Sequence, residues 1–126
     1  MVTVTESPLD PGMVFETLKK TDSGSLLFHY AVVKDHAGGR PSTGIRFEKN
    51  GDMESELYEI ENDIRSRWGI IDIFLIRRTG LLQVGDIISL VAVSSAASSD
   101  AFDASQYALG RIKKMRTIKK TELFTD

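Results

Sequence analysis

Residues 100–122 constrain the fold more than any other part of the chain, because their first part predicts a long helix with one buried face. Apolar side chains recur there at steps of three and four, which is the spacing of one face of an α-helix. Short polar side chains precede the stripe, and an oxygen at that point can accept a free amide hydrogen of the first turn. The predicted stripe consists of Ala101, Ala104, Ala108, Ile112 and Met115, is broadened by Phe102 and Leu109, and follows an N-cap at Ser98, Ser99 or Asp100.

Basic side chains crowd the end of this stretch, with no acidic residue between Arg111 and Glu122. One interpretation is a solvated helix end, where cations complement the negative end of the helix dipole. The other is a site that collects an anion or uses a lysine as a reactive amine, because neighbouring cations lower a lysine pKa and expose more neutral nucleophile. The pattern alone leaves both open for Arg111, Lys113, Lys114, Arg116, Lys119 and Lys120.

Two further helices and several strands complete the predicted order. The best helical pattern runs over 53–68 with Gly69 as its stop, and a short helix over 13–20 follows Asp10 as N-cap and Pro11. We expect this short helix to bury Met13, Val14, Phe15 or Leu18. Strands are predicted over 2–5, 25–33, 44–48, 70–78 and 87–95, with a strand-like middle in the turn 80–86. This order favours one α+β domain over 1–126, with helices on one face of a mostly antiparallel sheet.

Composition excludes several classes of function. The chain has no cysteine, which removes disulfides, thiolate metal sites and cysteine nucleophiles. Two histidines are too few for a histidine-rich metal site, so we expect no metal. No stretch is long and apolar enough to span a bilayer, and residues 1–12 do not resemble a signal peptide, so we expect a cytoplasmic protein. The net charge of −2 gives no general attraction to nucleic acid or to an anionic membrane.

The segment 34–43 interrupts the strand pattern and predicts a loop. Gly38 and Gly39 permit positive φ, and we expect Pro41 to end strand pairing. The loop is either a polar connection or a phosphate-facing loop, in which glycines expose backbone amides and cations supply charge. His29, within the preceding strand, is typical of a hydrogen-bonded core or edge residue.

Several segments together resemble one protein family over nearly the whole chain. They read VVKDHAGGR over 32–40, RSRWGI over 65–70, RRTGLLQVGD over 77–86, VAVSSAASSDAFDASQYALGRIKK over 91–114 and IKKTE over 118–122. The order and spacing of these pieces are specific, although no single piece is. The chain resembles the large, catalytic subunit of molybdopterin synthase.

The resemblance implies a fold, a partner and a reaction. The fold would be a two-layer α/β-hammerhead, usually a homodimer, and a heterotetramer with its partner. The partner would be a small ubiquitin-like sulfur-carrier subunit whose C-terminal Gly-Gly thiocarboxylate enters a pocket on the large subunit. The implied reaction is a sulfurtransferase step that converts cyclic pyranopterin monophosphate (precursor Z) to molybdopterin, with no metal and no separate cofactor.

The resemblance also assigns residues. The two pocket lysines of the family fall on Lys113 and Lys120, where ammonium groups would hold the thiocarboxylate and the pterin phosphate and stabilise an oxyanion. A neutral lysine could instead move a proton. The sequence departs from the family where a His-Arg pair is usual, since Ala97 and Ser98 stand there, and Lys34 replaces a loop arginine. The remaining candidates for substrate binding are His36, Arg40, Ser98, Ser99, Arg116 and Lys119, together with Lys34.

Three functions therefore compete. The first is an active synthase subunit with a rebuilt substrate site. The second is a non-catalytic module that binds the carrier but has lost precursor turnover, suggested by Ala97 and Ser98. The third is a basic surface for nucleic acid or an anionic membrane, which the overall acidity and the lack of interleaved aromatic residues disfavour.

Overall fold

A computed structural model describes residues 1–20 and 22–125. Within these ranges the chain forms three helices and eight strands. The helices are α1 (Pro11–Leu18), α2 (Met53–Arg67) and α3 (Ser98–Lys113). The strands are β1 (Val2–Thr5), β2 (Ser25–Val32), β3 (His36–Ala37), β4 (Arg40–Lys49), β5 (Ile70–Arg78), β6 (Gly80–Gln83), β7 (Ile87–Ser95) and β8 (Ile118–Phe124).

A four-stranded central sheet has the order β1-β5-β7-β2. β1 pairs with β5 in parallel, whereas β5 with β7 and β7 with β2 are antiparallel. One face packs against α2 and α3 and forms the largest core, which contains Leu57, Ile64, Leu75, Val91 and Ala104. The predicted α+β class with a mostly antiparallel sheet is therefore confirmed.

The other face of the central sheet is covered by α1, so the helices do not all lie on one face as predicted. Leu18 is fully buried against Phe74, Ile76, Leu90 and Ala92. Asp10 caps α1 as expected, its Oδ1 accepting a hydrogen bond from the Gly12 amide at 3.1 Å. Of the other apolar candidates in α1, Val14 packs against this core, while Met13 and Phe15 stay exposed.

A second sheet is built around β4, which pairs with β3, β6 and β8, all antiparallel. Its apolar residues Val33, Ile45, Phe47 and Leu82 form a separate small core. β8 was not predicted, because Lys119, Lys120, Thr121 and Glu122 form a polar run without the apolar alternation of a half-buried strand.

The segment predicted as a loop over 34–43 is instead a β-hairpin. Gly38 and Gly39 have φ of 57° and 79°, the left-handed conformation that a two-residue hairpin turn requires. Pro41 does not end the pairing, since it lies opposite His36 in the ladder between β3 and β4. Proline is tolerated there because this ladder is short and lies at the start of β4.

The two long helices match their predicted stripes, with exceptions at their ends. Four of the five stripe residues are buried in α3, and the fifth, Met115, is buried just after the helix end, but Phe102 is 63% exposed. The N-cap of α3 is Ala97, which makes no side-chain capping bond, so the predicted cap was wrong. In α2, Asp52 caps the start, and Gly69 follows Trp68 without adopting positive φ.

None of the helices in the described ranges combines the length and apolar character needed to cross a membrane. The same ranges contain no group of three or more histidine, aspartate or glutamate side chains placed to hold a metal ion.

Candidate functional site

A cavity of about 360 Å³ opens where the end of α3, the central sheet and the second sheet meet. Its wall combines apolar side chains from all three layers with a small set of polar ones. The apolar part consists of Ala31, Phe47, Ile88, Leu109, Ile112, Met115 and Ile118, and the polar part of His29, Arg77, Ser89, Lys113 and Lys120.

The floor of the cavity is a row of side chains across the central sheet. Arg77 of β5 lies opposite Ser89 of β7, and Ser89 lies opposite Ala31 of β2. Directly opposed residues in antiparallel strands share a face, so these three side chains point the same way. Leu75, two residues before Arg77, lies on the same face in the main core. The cavity therefore begins where the apolar core ends, because the next side chain on this face of β5 is the guanidinium of Arg77.

Lys113 reaches the cavity from the last turn of α3. Leu109 and Ile112 also line the cavity, and residues three and four apart on a helix share a face. Lys113 is four residues after Leu109, so the helix directs it to the same side. Lys114, which follows the helix end, does not line the cavity.

Lys120 reaches the cavity from β8, and the strand register explains why. Lys120 lies opposite the buried Phe47 of β4, so both side chains lie on the face that forms the cavity wall. Lys119 lies opposite Glu48 and points to the other face. The structure therefore brings together the two lysines that the sequence singled out and separates Lys119 from them.

The segment between α3 and β8 is fixed by a carboxylate of α2. Glu56 accepts hydrogen bonds from the backbone amides of Arg116 and Thr117 at 3.1 Å and from the Thr117 hydroxyl at 2.6 Å. Burial raises the pKa of Glu56, but the hydrogen bonds from Thr117 and Arg116 outweigh it, so the pKa lies below its ordinary value. These bonds set where β8 begins and hence where Lys120 lies.

Arg77 is the most deeply buried cation of the cavity. Its side chain is 8% exposed, and its guanidinium carbon lies 4.4 Å from the centre of the Phe47 ring. Nε is buried and has no hydrogen-bond partner among the described residues. Burial lowers the pKa of Arg77 to about 10, which still leaves the group charged at neutral pH.

Among the residues that the structure describes, the cavity wall carries a buried arginine, two exposed lysines and a histidine but no carboxylate. Buried charges in proteins are normally paired, because an isolated charge loses its hydration without compensation. A cavity with this lining is suited to an anionic ligand, in particular one that presents a carboxylate or phosphate to guanidinium and ammonium groups.

The other predicted substrate-binding residues lie outside the cavity wall. His36 is exposed in β3 and hydrogen-bonds Asp35 through Nδ1 at 2.8 Å, and Lys34 is exposed just before it. Arg40 lies over the Phe124 ring with its guanidinium carbon 3.9 Å from the ring centre. Exposed side chains are also found at Ser98, Ser99, Arg116 and Lys119.

Sequence reasoning missed Arg77, Ser89 and the place of His29 in this site. Arg77 was noticed only as part of RRTGLLQVGD. A signal for it exists, since Ile73, Leu75 and Arg77 alternate on one face of a strand that is otherwise apolar on that face. His29 is exposed on the edge strand β2, which agrees with the edge position considered for it.

The fold and the cavity define the class of protein. It is an α+β protein in which cationic side chains from a helix end and two sheets line one pocket. The sequence profile of the family described as MoaE protein matches residues 4–115. The chain belongs to this family.

Individual relatives agree with this assignment. The molybdopterin synthase catalytic subunit of Haemophilus influenzae is 33% identical over 123 residues, covering 96% of this chain and 82% of the relative. The crystal structure of molybdopterin synthase from Staphylococcus aureus superposes with a TM-score of 0.88 at 30% identity, covering 98% of this chain and 90% of the other. A chain from the complex of subunits 1 and 2 of the molybdopterin-converting factor of Helicobacter pylori has the same fold, with a TM-score of 0.80 at 12% identity and coverages of 98% and 84%.

Proposed function

We propose that this protein is the catalytic subunit of a molybdopterin synthase, a sulfurtransferase of molybdenum cofactor biosynthesis. It would transfer sulfur from a thiocarboxylated carrier subunit to cyclic pyranopterin monophosphate. The names of the relatives support this function, as does membership of the family. The observation that carries it is that Lys113 and Lys120, distant in the chain and on different elements, line one cavity that holds no carboxylate.

The cavity chemistry fits this reaction. Once the thiocarboxylate sulfur has bonded to a pterin carbon, water attacks the thioacyl carbon, the C–S bond to the carrier breaks, the carrier leaves as its carboxylate and the sulfur stays on the pterin. The tetrahedral intermediate of this step carries an oxyanion that ammonium groups can stabilise. We assign this role to Lys113 and Lys120, with Lys113 the more important because it lies at the helix end among the apolar residues of the wall. A neutral lysine in this position would also serve to transfer a proton to or from the pterin. The reaction as proposed uses no metal and no separate cofactor.

A small partner subunit belongs to this proposal. The H. pylori neighbour was solved as a complex of two subunits of the molybdopterin-converting factor, which supports such a partner for a chain with the same fold. We propose that the partner is ubiquitin-like and that its C-terminal Gly-Gly thiocarboxylate enters the cavity. The homodimer, the heterotetramer, the hammerhead description of the fold and the cytoplasmic location are parts of the same proposal.

We propose a secondary role for the predicted residues outside the cavity wall. They are candidates for contacts with those parts of the pterin phosphate or the carrier that extend beyond the cavity. These residues are Lys34, His36, Arg40, Ser98, Ser99, Arg116 and Lys119.

Substitution of the two cavity lysines tests the function. We expect Lys113→Ala and Lys120→Ala each to reduce conversion of precursor Z by about 10²–10³-fold, the loss typical of removing one group that stabilises an oxyanion. The measurement is molybdopterin formation in a mixture of this chain, a thiocarboxylated carrier subunit and precursor Z. Lys114→Ala is the matched control, because this neighbouring lysine is exposed and does not line the cavity.

The same mixture separates the two leading functions. An active wild type with an unaffected Lys114→Ala variant and impaired cavity variants supports the proposal. Carrier binding without any product, while an active family member converts precursor Z under the same conditions, would instead identify a non-catalytic carrier-binding module. Full activity of Lys113→Ala would show that the catalytic assignment is wrong.

A further inference from the structure

We propose that Arg77 is a ligand-binding residue that holds an oxyanion, a phosphate or a terminal carboxylate or thiocarboxylate, at the floor of the cavity. This deepens the proposed function by adding a guanidinium to the two lysines, and it rests on that function only for the identity of the anion. The site is unlike a surface cluster of cations, because its central group is already withdrawn from water.

The first argument is that Arg77 is buried without a partner. Its side chain is 8% exposed, its Nε is fully enclosed, and no hydrogen bond joins its guanidinium to another described residue. The nearest polar member of its row is Ser89, and the cavity wall supplies no carboxylate. A folded chain rarely leaves a charged group in this state unless something else completes it.

The neighbouring Arg78 shows what a structural arginine looks like in the same strand. It is equally buried, at 8% exposure, but one Nη donates to the Glu6 carbonyl at 3.0 Å and the other lies 3.9 Å from an Asp86 carboxylate oxygen. Side chains of successive strand residues lie on opposite faces of the sheet. Arg77 therefore lies on the face that forms the cavity, and Arg78 lies on the other face. Nε of Arg78 is buried without a partner as well, so the difference lies in the Nη groups, which have protein partners in Arg78 and none among the described residues in Arg77.

Stacking on Phe47 does not satisfy Arg77. The guanidinium lies over the aromatic ring, which interacts with its flat face. The five N–H donors of a guanidinium point outward in its plane, so stacking leaves them free while it fixes the plane. A ring that fixes the plane of an arginine beside an open cavity prepares its edge for a bidentate contact with a planar or tetrahedral oxyanion.

The surroundings favour an anion over any other ligand. Lys113 and Lys120 reach the same cavity from α3 and β8, so three elements that are far apart in the chain each contribute a cation. Like charges repel at close range, and an anion between them removes that repulsion. Two anions take part in the proposed reaction, the phosphate of the pterin and the carboxylate end of the carrier, and either fits this chemistry.

Binding of inorganic phosphate to the intact chain tests the inference. We expect phosphate to raise the Tm of the wild type in a low-salt buffer that lacks other oxyanions, since a ligand that binds only the folded state stabilises it. For Arg77→Met we expect at least a tenfold rise in the phosphate Kd and loss of most of this Tm gain. Without phosphate, this variant should melt no lower than the wild type, because Met keeps an apolar contact with Phe47 and the guanidinium has no hydrogen-bond partner among the described residues to lose.

The matched control is Arg46→Met. Arg46 is an exposed arginine of β4 that does not line the cavity, so its substitution changes net charge equally. We expect it to keep the phosphate-dependent Tm gain. Equal gains in wild type, Arg77→Met and Arg46→Met would overturn the inference, and so would a marked fall in the Tm of Arg77→Met without phosphate, which would make Arg77 a structural residue.

A second measurement uses the wild type alone and does not depend on how any variant folds. The ¹H–¹⁵N signal of the Arg77 side-chain Nε should shift on titration with phosphate or with a short peptide that ends in a Gly-Gly carboxylate. A shift with only one of them identifies which anion Arg77 holds, and a shift with neither overturns the inference. If the anion binds through Arg77 but no precursor Z is converted, the site stands and the proposed reaction fails.

Discussion

At the scale of single residues, adjacent arginines in β5 have different consequences for stability. Arg77 and Arg78 are buried to the same extent, yet alternation along the strand gives them opposite surroundings. Arg78 connects the end of β5 to residues near the end of β1 and the start of β7 through Glu6 and Asp86. Its side chain therefore holds three segments together, while Arg77 leaves its donors directed at a cavity.

Removal of Arg78 should destabilise the fold. We expect Arg78→Ala to lower the free energy of unfolding by about 2–3 kcal/mol, because a partly buried charged hydrogen bond to a backbone carbonyl is lost along with the packing of the aliphatic stem. Urea denaturation at neutral pH measures it. Arg46→Ala is the control and should change stability by less than about 0.5 kcal/mol, as exposed substitutions usually do. A loss in Arg78→Ala no larger than that of the control would refute this role.

At the scale of elements, the position of β8 depends on α2. β8 contains few apolar residues, and its ladder with β4 is long, running from Ile118 opposite Lys49 to Phe124 opposite Ser42. Glu56 on α2 fixes the entry to this strand by accepting hydrogen bonds from Arg116 and Thr117. An acidic residue of α2 thus sets the place of a basic residue of the cavity.

Glu56→Ala should destabilise the chain by about 2 kcal/mol at pH 7, because a partly buried carboxylate that accepts several hydrogen bonds is removed. The pKa of Glu56 in the folded state lies below its ordinary value of 4.5. The stabilisation is therefore complete above about pH 4.5 and is lost as the pH falls through the folded-state pKa.

Urea denaturation between pH 3 and 7 measures this dependence. The difference in the free energy of unfolding between wild type and Glu56→Ala should be largest at neutral pH and should become smaller below about pH 4.5. Glu59→Ala, an exposed substitution on the same helix, controls for net charge. A gap that stays constant with pH would contradict the role of the ionised carboxylate.

The accuracy of the secondary structure predicted from the sequence differs between elements, and the reasons are physical. The bounds of β5 and β7 were predicted to the residue, because β-branched and apolar runs buried on both faces are distinctive. The strand β8 was missed because its pairing with β4 comes from tertiary contacts that no local pattern encodes. The hairpin of β3 and β4 was missed although Gly38-Gly39 is a local signal for a two-residue hairpin turn, because Pro41 was expected to end the pairing.

The residues of the candidate site also divide into those that the sequence identified and those that it missed. Lys113 and Lys120 were identified from the resemblance, and the structure places both on one cavity. Arg77 was missed because an arginine near a strand end is ordinarily a surface residue. Alternation puts it on the face of Ile73 and Leu75, but only the pairing of β5 with β7 shows which residues lie beside it. A site built from cross-strand neighbours requires the register, which a single sequence does not contain.

At the scale of the whole molecule, the cavity lies at the seam between two sheets. Ile118 packs against both the main core and the small core of the second sheet, and Ile88 packs against the latter from the start of β7. The two sheets therefore share side chains at the cavity wall. This shared packing favours the prediction of a single domain over 1–126.

Unfolding should therefore be cooperative. We expect loss of Trp68 fluorescence, which reports on the core around α2 and α3, to coincide in urea with loss of the NMR signals of β4 and β8. Shared side chains at the seam couple the two regions. Separate midpoints for the two probes would mean that the second sheet is an independently unfolding unit.

The topology also implies that the cavity forms late during folding. Its walls come from β2, β4, β5, β7, α3 and β8, and β4 pairs with β8 although residues 50–117 lie between the two strands. Contacts between segments so far apart in sequence form slowly, because the long loops between them must close first. Helices and hairpins assemble from local contacts, but the cationic pocket has no local precursor. Partly folded chains therefore carry its arginine and lysines as scattered charges, and only completion of the chain's long-range pairing turns them into a binding site.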